Sequence, residues 1–253
     1  MLRKALRTAQ NFFPALEETK NDVYHAFRRY AGTVHDPSFK IVRLLPRQPD
    51  DLFLDIGANR GQSIMAIRRY RPDATIVSFE PNPIIFKRLH DRFKDTPGVS
   101  LRNIGLGSAK ADLTLFVPSY RGFTYDGIAS FARESAETYL SPKTIYFFNP
   151  RHVSVAEYTC HVEVLDSLNL APTFMKLDIE GFEYDALQGA TATLTRHEPI
   201  LFVEEFWRDA RVAAKLTTLG YQEVIEHNGM LVKGRSTGVN AVYATARRLP
   251  GLR

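Results

Sequence analysis

The chain of 253 residues is 44% hydrophobic and 24% charged, which suits one α/β domain with a substantial core and excludes a largely disordered or fibrous protein. Its net charge of +5 is spread over small groups at Arg28–Arg29, Arg68–Arg69–Arg71 and Arg247–Arg248, so no continuous basic stripe marks a nucleic-acid partner. The lone Cys160 excludes an internal disulfide, and no apolar run approaches the roughly 18 residues of a membrane span; with no apolar stretch after Arg3, Lys4 and Arg7, a cytoplasmic protein without a secretory signal is expected.

In chain order, residues 1–49 are expected to form a helical extension. Val23, Phe27 and Tyr30, then Phe39, Val42 and Leu45, recur at helical spacing. Residues 50–253 carry the main domain, because from Asp51 short apolar runs alternate with helical segments, the pattern of a parallel sheet covered on both faces. Strands are expected at Leu52–Ile56, Thr75–Phe79, Val99–Ile104, Phe174–Ile179, Ile200–Glu204, Tyr221–Ile225 and Asn240–Thr245, and helices at Gly61–Tyr70, Pro83–Phe93, Phe182–Thr195 and Asp209–Leu219. These seven runs predict a Rossmann-like, doubly wound, seven-stranded α/β sheet.

Between Val117 and Thr159 the alternation gives way to glycine, proline and aromatics, so residues 118–158 are expected to be an insertion that covers the substrate. Most of its aromatics, including Tyr120, Phe123 and Tyr125, are expected in core packing. His152 and His161 belong to no motif and are expected to be structural.

The first strand runs through Asp55 and Ile56 into Gly57-Ala58-Asn59-Arg60-Gly61, a strand-turn-helix ligand loop. A dinucleotide fingerprint needs a second glycine where Asn59 stands and a third where Gln62 stands. The loop therefore favours a sulfonium cofactor, S-adenosylmethionine, over NAD. Asp55 offers a carboxylate to the ligand's ammonium end, and Glu80, leading Pro81 and Asn82 at the tip of the second strand, suits ribose hydroxyls. Asn103, Ile104 and Gly105 at the end of the third strand suit an adenine ring. Each element alone is weak, but three successive strands ending in ligand-type residues form a specific order.

The segment Phe174–Glu183 leaves a strand and enters a helix, with Lys176, Asp178 and Glu180 on one face by alternation. The bland reading is an ion-paired cluster, with Glu180 and Glu183 serving the helix start.

Together these residues are similar to the FkbM family of methyltransferases. The likeness rests on FLDIGANRGQ from Phe53 to Gln62, on Phe79–Pro83, Asn103–Gly107 and Val164–Leu168, and on KLDIEGFEYDALQGA from Lys176 to Ala190. The resemblance implies the class I methyltransferase fold, S-adenosylmethionine held by the glycine loop and Glu80, and transfer to a hydroxyl, as on sugars and macrolides. It fixes no base. On chemistry, Asp178 is the first choice for base or acceptor-orienting group, Glu180 the second, and Glu204 or Glu205 the third. No metal is expected, since the carboxylates match no metal-binding loop.

The expected partner is a small-molecule or glycan hydroxyl acceptor. An RNA methyltransferase, favoured by the basic composition, and a non-catalytic cofactor-binding protein are the alternatives. An NAD-dependent oxidoreductase ranks behind them.

Overall fold

The computed structural model describes Lys4, Thr8, Asn11 and residues 36–47, 50–179, 181–204, 209–238 and 240–249. The expected helical residues Val23, Phe27 and Tyr30 lie outside these. The strands in chain order are β1 (Leu52–Ile56), β2 (Thr75–Phe79), β3 (Val99–Arg102), β4 (Gly105–Leu106), β5 (Ala111–Tyr120), β6 (Phe123–Thr124), β7 (Val153–Glu163), β8 (Phe174–Leu177), β9 (Ile200–Glu204), β10 (Gln222–His227), β11 (Met230–Lys233) and β12 (Asn240–Ala244). The α-helices are α1 (Gln62–Tyr70), α2 (Pro83–Phe93), α3 (Arg133–Tyr139), α4 (Glu183–Gln188), α5 (Thr191–His197) and α6 (Ala210–Thr218). The chain forms two compact units, Met1–Thr33 with Asp112–Cys160, and Val34–Ala111 with His161–Arg253.

The second unit holds an eight-stranded sheet in the order β11-β10-β12-β9-β8-β1-β2-β3. The five strands from β9 to β3 are parallel, while β12, β10 and β11 join by antiparallel pairing. This is the expected doubly wound α/β sheet with one strand more, because the chain turns back after His227 and adds β11 as a hairpin partner of β10. The central strands are buried along their length, which explains their continuous apolar runs.

Helix limits follow from local chemistry. Pro83 opens α2, Asn82 accepts from the Ile84 and Ile85 amides, and Ile85, Leu89 and Phe93 form its buried stripe. Asp209 caps α6, whose Val212 and Leu216 face the core. The turn Pro37–Leu44 is a 3-10 helix that buries Phe39, Ile41 and Val42. Phe39 packs on Phe202 with ring centroids 4.8 Å apart.

Three sequence expectations are corrected. The third strand ends at Arg102, and Gly105–Leu106 pairs instead with Val162 and Glu163 at the end of β7. The helix expected over Phe182–Thr195 is broken into α4 and α5. A Cβ on Gly189 would run into the Gly107 carbonyl, and Asp166 starts α5 afresh by accepting from the Ala192 and Thr193 amides at 2.8 Å. The segment without clear periodicity contains regular structure: β5 pairs with β6 and lies beside β7 in one sheet, and α3 comes between β6 and β7 in the chain. Tyr120, Phe123 and Tyr125 form its core with Leu140 and Ile145, whereas Phe147 is 93% exposed.

Asp166→Ala is expected to lower stability by about 1–2 kcal/mol through loss of this cap. Thermal melting checks it, and an unchanged midpoint would show that α5 starts without Asp166.

Candidate active site

The glycine loop folds over the end of β2. The amides of Gly57 and Ala58 both donate to the Phe79 carbonyl, at 3.0 and 2.9 Å, which fixes the turn as β1 ends. Gly57 has φ 82°, and a Cβ there would also meet the Asp178 carbonyl oxygen. Only glycine satisfies both the left-handed backbone and the close approach of β8. Gly61 lies against the Phe93 ring, so glycine there lets α1 begin close to α2. Asn59 sits at φ 47°, a conformation asparagine tolerates better than most side chains.

Glu80 ties the loop to the β2 strand end. One carboxylate oxygen accepts the Asn59 amide and the other the Asn82 amide, each at 2.9 Å. Burial pushes its pKa up to about 7, against the lowering pull of those two amides and of Lys176. Asn103 donates its side-chain amide to the carbonyls of Glu80 and Pro81, at 2.8 and 3.2 Å, and so holds the strand ends together. Ile104 is half-buried beside it, and a Cβ on Gly105 would contact Pro81 at 3.4 Å. The structure therefore brings Gly57, Ala58, Asn59, Glu80, Pro81, Asn82, Asn103 and Gly105 to one edge of the sheet.

Asp55 is placed otherwise than a surface ligand group. It is 0% exposed, accepts from the Ser63 hydroxyl at 2.7 Å and the Ser78 hydroxyl at 3.3 Å, and stands 3.5 Å from the Lys176 ammonium. Ser78, Asp55 and Lys176 are in-register neighbours on β2, β1 and β8, forming one polar row across three buried strands. The Lys176 ammonium also donates to the Gly57 carbonyl at 2.7 Å and pairs with Asp178 at 3.1 Å. Its burial pushes the pKa down, but Asp55 and Asp178 together outweigh that and hold it above the usual lysine value. A charged lysine thus links the buried acid, the ligand loop and the acid beyond the end of β8.

Asp178 follows β8 with its side chain 40% exposed, open to a substrate while tied to Lys176. Glu204 ends β9, half-buried and in register with Asn240. Glu180 and Glu205, with Trp207, lie outside the described residues. Glu183 serves the helix start: its carboxylate accepts the Ile179 and Gly181 amides at 3.1 and 2.9 Å and so shapes the turn after Asp178. His152 packs edge-on against Tyr120 in the first unit. Among the described residues, no group of three or more His, Cys, Asp or Glu is arranged to hold a metal ion.

The sequence reading missed Ser63 and Ser78 and did not assign Lys176 a site role. The available signal was the parity of the strands: Ser78 and Asp55 each stand one residue before the last of a strand, so aligned parallel strands make them neighbours.

Residues 55–223 match the methyltransferase FkbM domain. Methyltransferase 1 of Beauveria bassiana is 29% identical over 161 residues, 56% of this chain and 59% of that protein. The 2-O-methyltransferase NoeI of Sinorhizobium fredii is 25% identical over 160 residues, 62% of this chain and 64% of that protein. The chain thus spans about three fifths of the length of these curated relatives. In fold, it is similar to the crystal structure of methyltransferase FkbM from Methylobacillus flagellatus, with a TM-score of 0.50 and 19% identity over 79% of this chain and 45% of that one.

Proposed function

This chain belongs to the FkbM family of methyltransferases, and we propose that it moves the methyl group of S-adenosylmethionine to a hydroxyl oxygen on a sugar, glycan or polyketide-like small molecule. The observation that carries the proposal is the continuous link from Glu80 through the glycine loop to Lys176 and Asp178, which joins a ligand cradle to a solvent-accessible acid. A hydroxyl acceptor also agrees with the name of one matched relative, a 2-O-methyltransferase.

The residues fit the cofactor in their donor and acceptor chemistry. Each Glu80 oxygen has accepted one amide hydrogen and keeps a lone pair for a ribose hydroxyl. Ala58, Asn59, Gly61, Asn103, Ile104 and Gly105 complete the contact surface for the methionine and adenine portions. When bound, S-adenosylmethionine supplies an electrophilic methyl group. The protein's part is to hold the acceptor oxygen in line and to take its proton. Asp178 accepts that proton, Lys176 fixes the Asp178 side chain, and Asp55 holds Lys176 charged in the buried row. Glu180 and Glu204 are the next candidates for the same duty. Residues 118–158 are assigned to covering the acceptor. The single buried thiol, Cys160, suits work in the reducing cytoplasm.

Cofactor affinity should depend on pH. Because the Glu80 pKa is raised above its ordinary value of 4.5, the protonated form favours the fold below 4.5, a contribution lost as pH rises through about 7. Hydroxyl donors need the carboxylate, so S-adenosylhomocysteine should bind more tightly as pH rises through about 7. Titrations at several pH values check this, and the dependence should vanish in Glu80→Gln. A flat profile in the wild type would separate Glu80 from the ligand.

The acceptor is tested by labelled-methyl transfer against sugars, lipopolysaccharide precursors, polyketides and RNA fragments. Label on a hydroxyl of the first three classes is expected. Labelling confined to RNA and suppressed by salt would favour an RNA methyltransferase instead.

A further inference from the structure

Among the described residues four large hydrophobic side chains are exposed, and three of them, Tyr139, Tyr146 and Phe147, fall within residues 139–147 of the first unit. Phe147 is 93% exposed and sits at φ 54°. A left-handed backbone costs a bulky side chain energy, and a plain turn would place Gly or Asn there, so an aromatic held out in water this way points to a use beyond the fold. Its neighbours on both sides are fixed. The Tyr146 amide donates to the Thr8 hydroxyl at 2.9 Å, the Phe148 ring stacks on Tyr120 with centroids 5.5 Å apart, and the Asn149 amide donates to the Tyr120 hydroxyl at 3.0 Å. The backbone around Phe147 is thus ordered before anything covers the ring, so covering it costs little further order.

The charge around this tip is of one sign. Residues 139–152 contain Lys143 and Arg151, both exposed, and no carboxylate. Lys4 reaches the same loop: its ammonium donates to the Pro142 carbonyl and lies 4.3 Å from the centre of the Tyr146 ring. On the other flank the Arg121 amide donates to the His152 carbonyl at 3.1 Å, and the Arg121 guanidinium stands 5.9 Å from the centre of the Tyr120 ring on which Phe148 stacks. These contacts gather Lys4, Lys143, Arg121 and Arg151 around Tyr146, Phe147 and Phe148. The carboxylates of α3 and β7 near this stretch are otherwise placed: Glu137 and Glu157 both pair with Arg133, and Glu134 stands in the first turn of α3.

We propose that this loop docks the protein on an anionic lipid bilayer, with Phe147 and Tyr146 entering the zone between head groups and acyl chains while Lys4, Lys143, Arg121 and Arg151 meet lipid phosphates. Charge complementarity selects this occupant. Two copies of the patch set face to face would bring like charges together. A single strand of RNA stacks on rings laid along a basic groove, whereas a ring as exposed as Phe147 has no walls beside it. The attachment is peripheral and reversible, since among the described residues no helix is long and apolar enough to cross a membrane. The inference does not rest on the methyl-transfer reading.

The test is flotation of the full chain with phosphatidylcholine vesicles and with mixed phosphatidylcholine–phosphatidylglycerol vesicles. Binding to the mixed vesicles is expected, with release at high salt and little binding to phosphatidylcholine alone. Asparagine tolerates φ 54° better than phenylalanine, so Phe147→Asn should melt no earlier than the wild type while its vesicle affinity falls by about tenfold. The double variant Lys143→Gln, Arg151→Gln should weaken binding by about fivefold for each charge removed, and it decides the matter should Phe147→Asn melt early. No binding to the mixed vesicles, or equal affinity in folded variants, overturns the proposal. So does self-association in light scattering that Phe147→Asn abolishes, which gives the loop to a second copy. Binding of a uridine oligonucleotide in place of vesicles, lost in Phe147→Asn, overturns it in favour of RNA.

Discussion

Lys176→Met is expected to destabilise the protein by about 3–5 kcal/mol, because it leaves the carboxylate of Asp55 buried without its countercharge. Asp55 is 0% exposed and keeps only two hydroxyl donors once the ammonium is gone. The Gly57 carbonyl loses a donor at the same time, so the loop is loosened along with the strand pair. With its folded pKa above the usual 10.5, Lys176 contributes stability below that value and loses it as pH rises through the folded one. Neutralising Asp55 as well, in Asp55→Asn with Lys176→Met, should recover part of the loss. Urea melts of the single and double variants decide the matter, and a single variant as stable as the wild type would mean the row is not ion-paired in solution.

Asp178→Asn is expected to slow single-turnover methyl transfer by about a hundredfold, the scale of lost general-base catalysis, with little change in cofactor affinity. Asparagine keeps the size and a hydrogen-bond acceptor for Lys176 but cannot take up the acceptor's proton. A purely structural Asp178 would give another pattern: its partner Lys176, 3.1 Å away, would lose a countercharge, melting would fall, and turnover per folded molecule would hold. Single-turnover rates beside a melting curve separate the two. If turnover holds, Glu180 and Glu204 become the residues to test.

The sheet was legible because its central strands are buried on both faces and therefore read as short apolar runs. The glycine loop was legible because a left-handed turn in close packing leaves few choices of residue, and Gly57 meets both demands. What escaped notice depends on contacts between distant parts of the chain. Asp55 reads as a ligand group in a single strand, and only the neighbours Ser78 and Lys176 reveal it as the centre of a buried row. The break between α4 and α5 depends on Asp166 and on the Gly107 carbonyl, neither of which the helical periodicity of residues 182–195 contains. The strands β5 and β7 were missed because half or more of their residues are partly or fully exposed, so polar side chains interrupt the apolar pattern. Asn82 and Asn103 are where the sequence reading expected them, yet in the structure Asn82 caps α2 and Asn103 bridges two strand ends.

The central claim, that the Glu80-anchored loop holds S-adenosylmethionine, is tested most directly by calorimetric titration of S-adenosylhomocysteine into the wild type and Glu80→Gln. One site is predicted in the wild type, weakened in the variant by about 1–3 kcal/mol through loss of a charged acceptor. No binding to the folded wild type, or equal affinity in a folded Glu80→Gln variant, would contradict it.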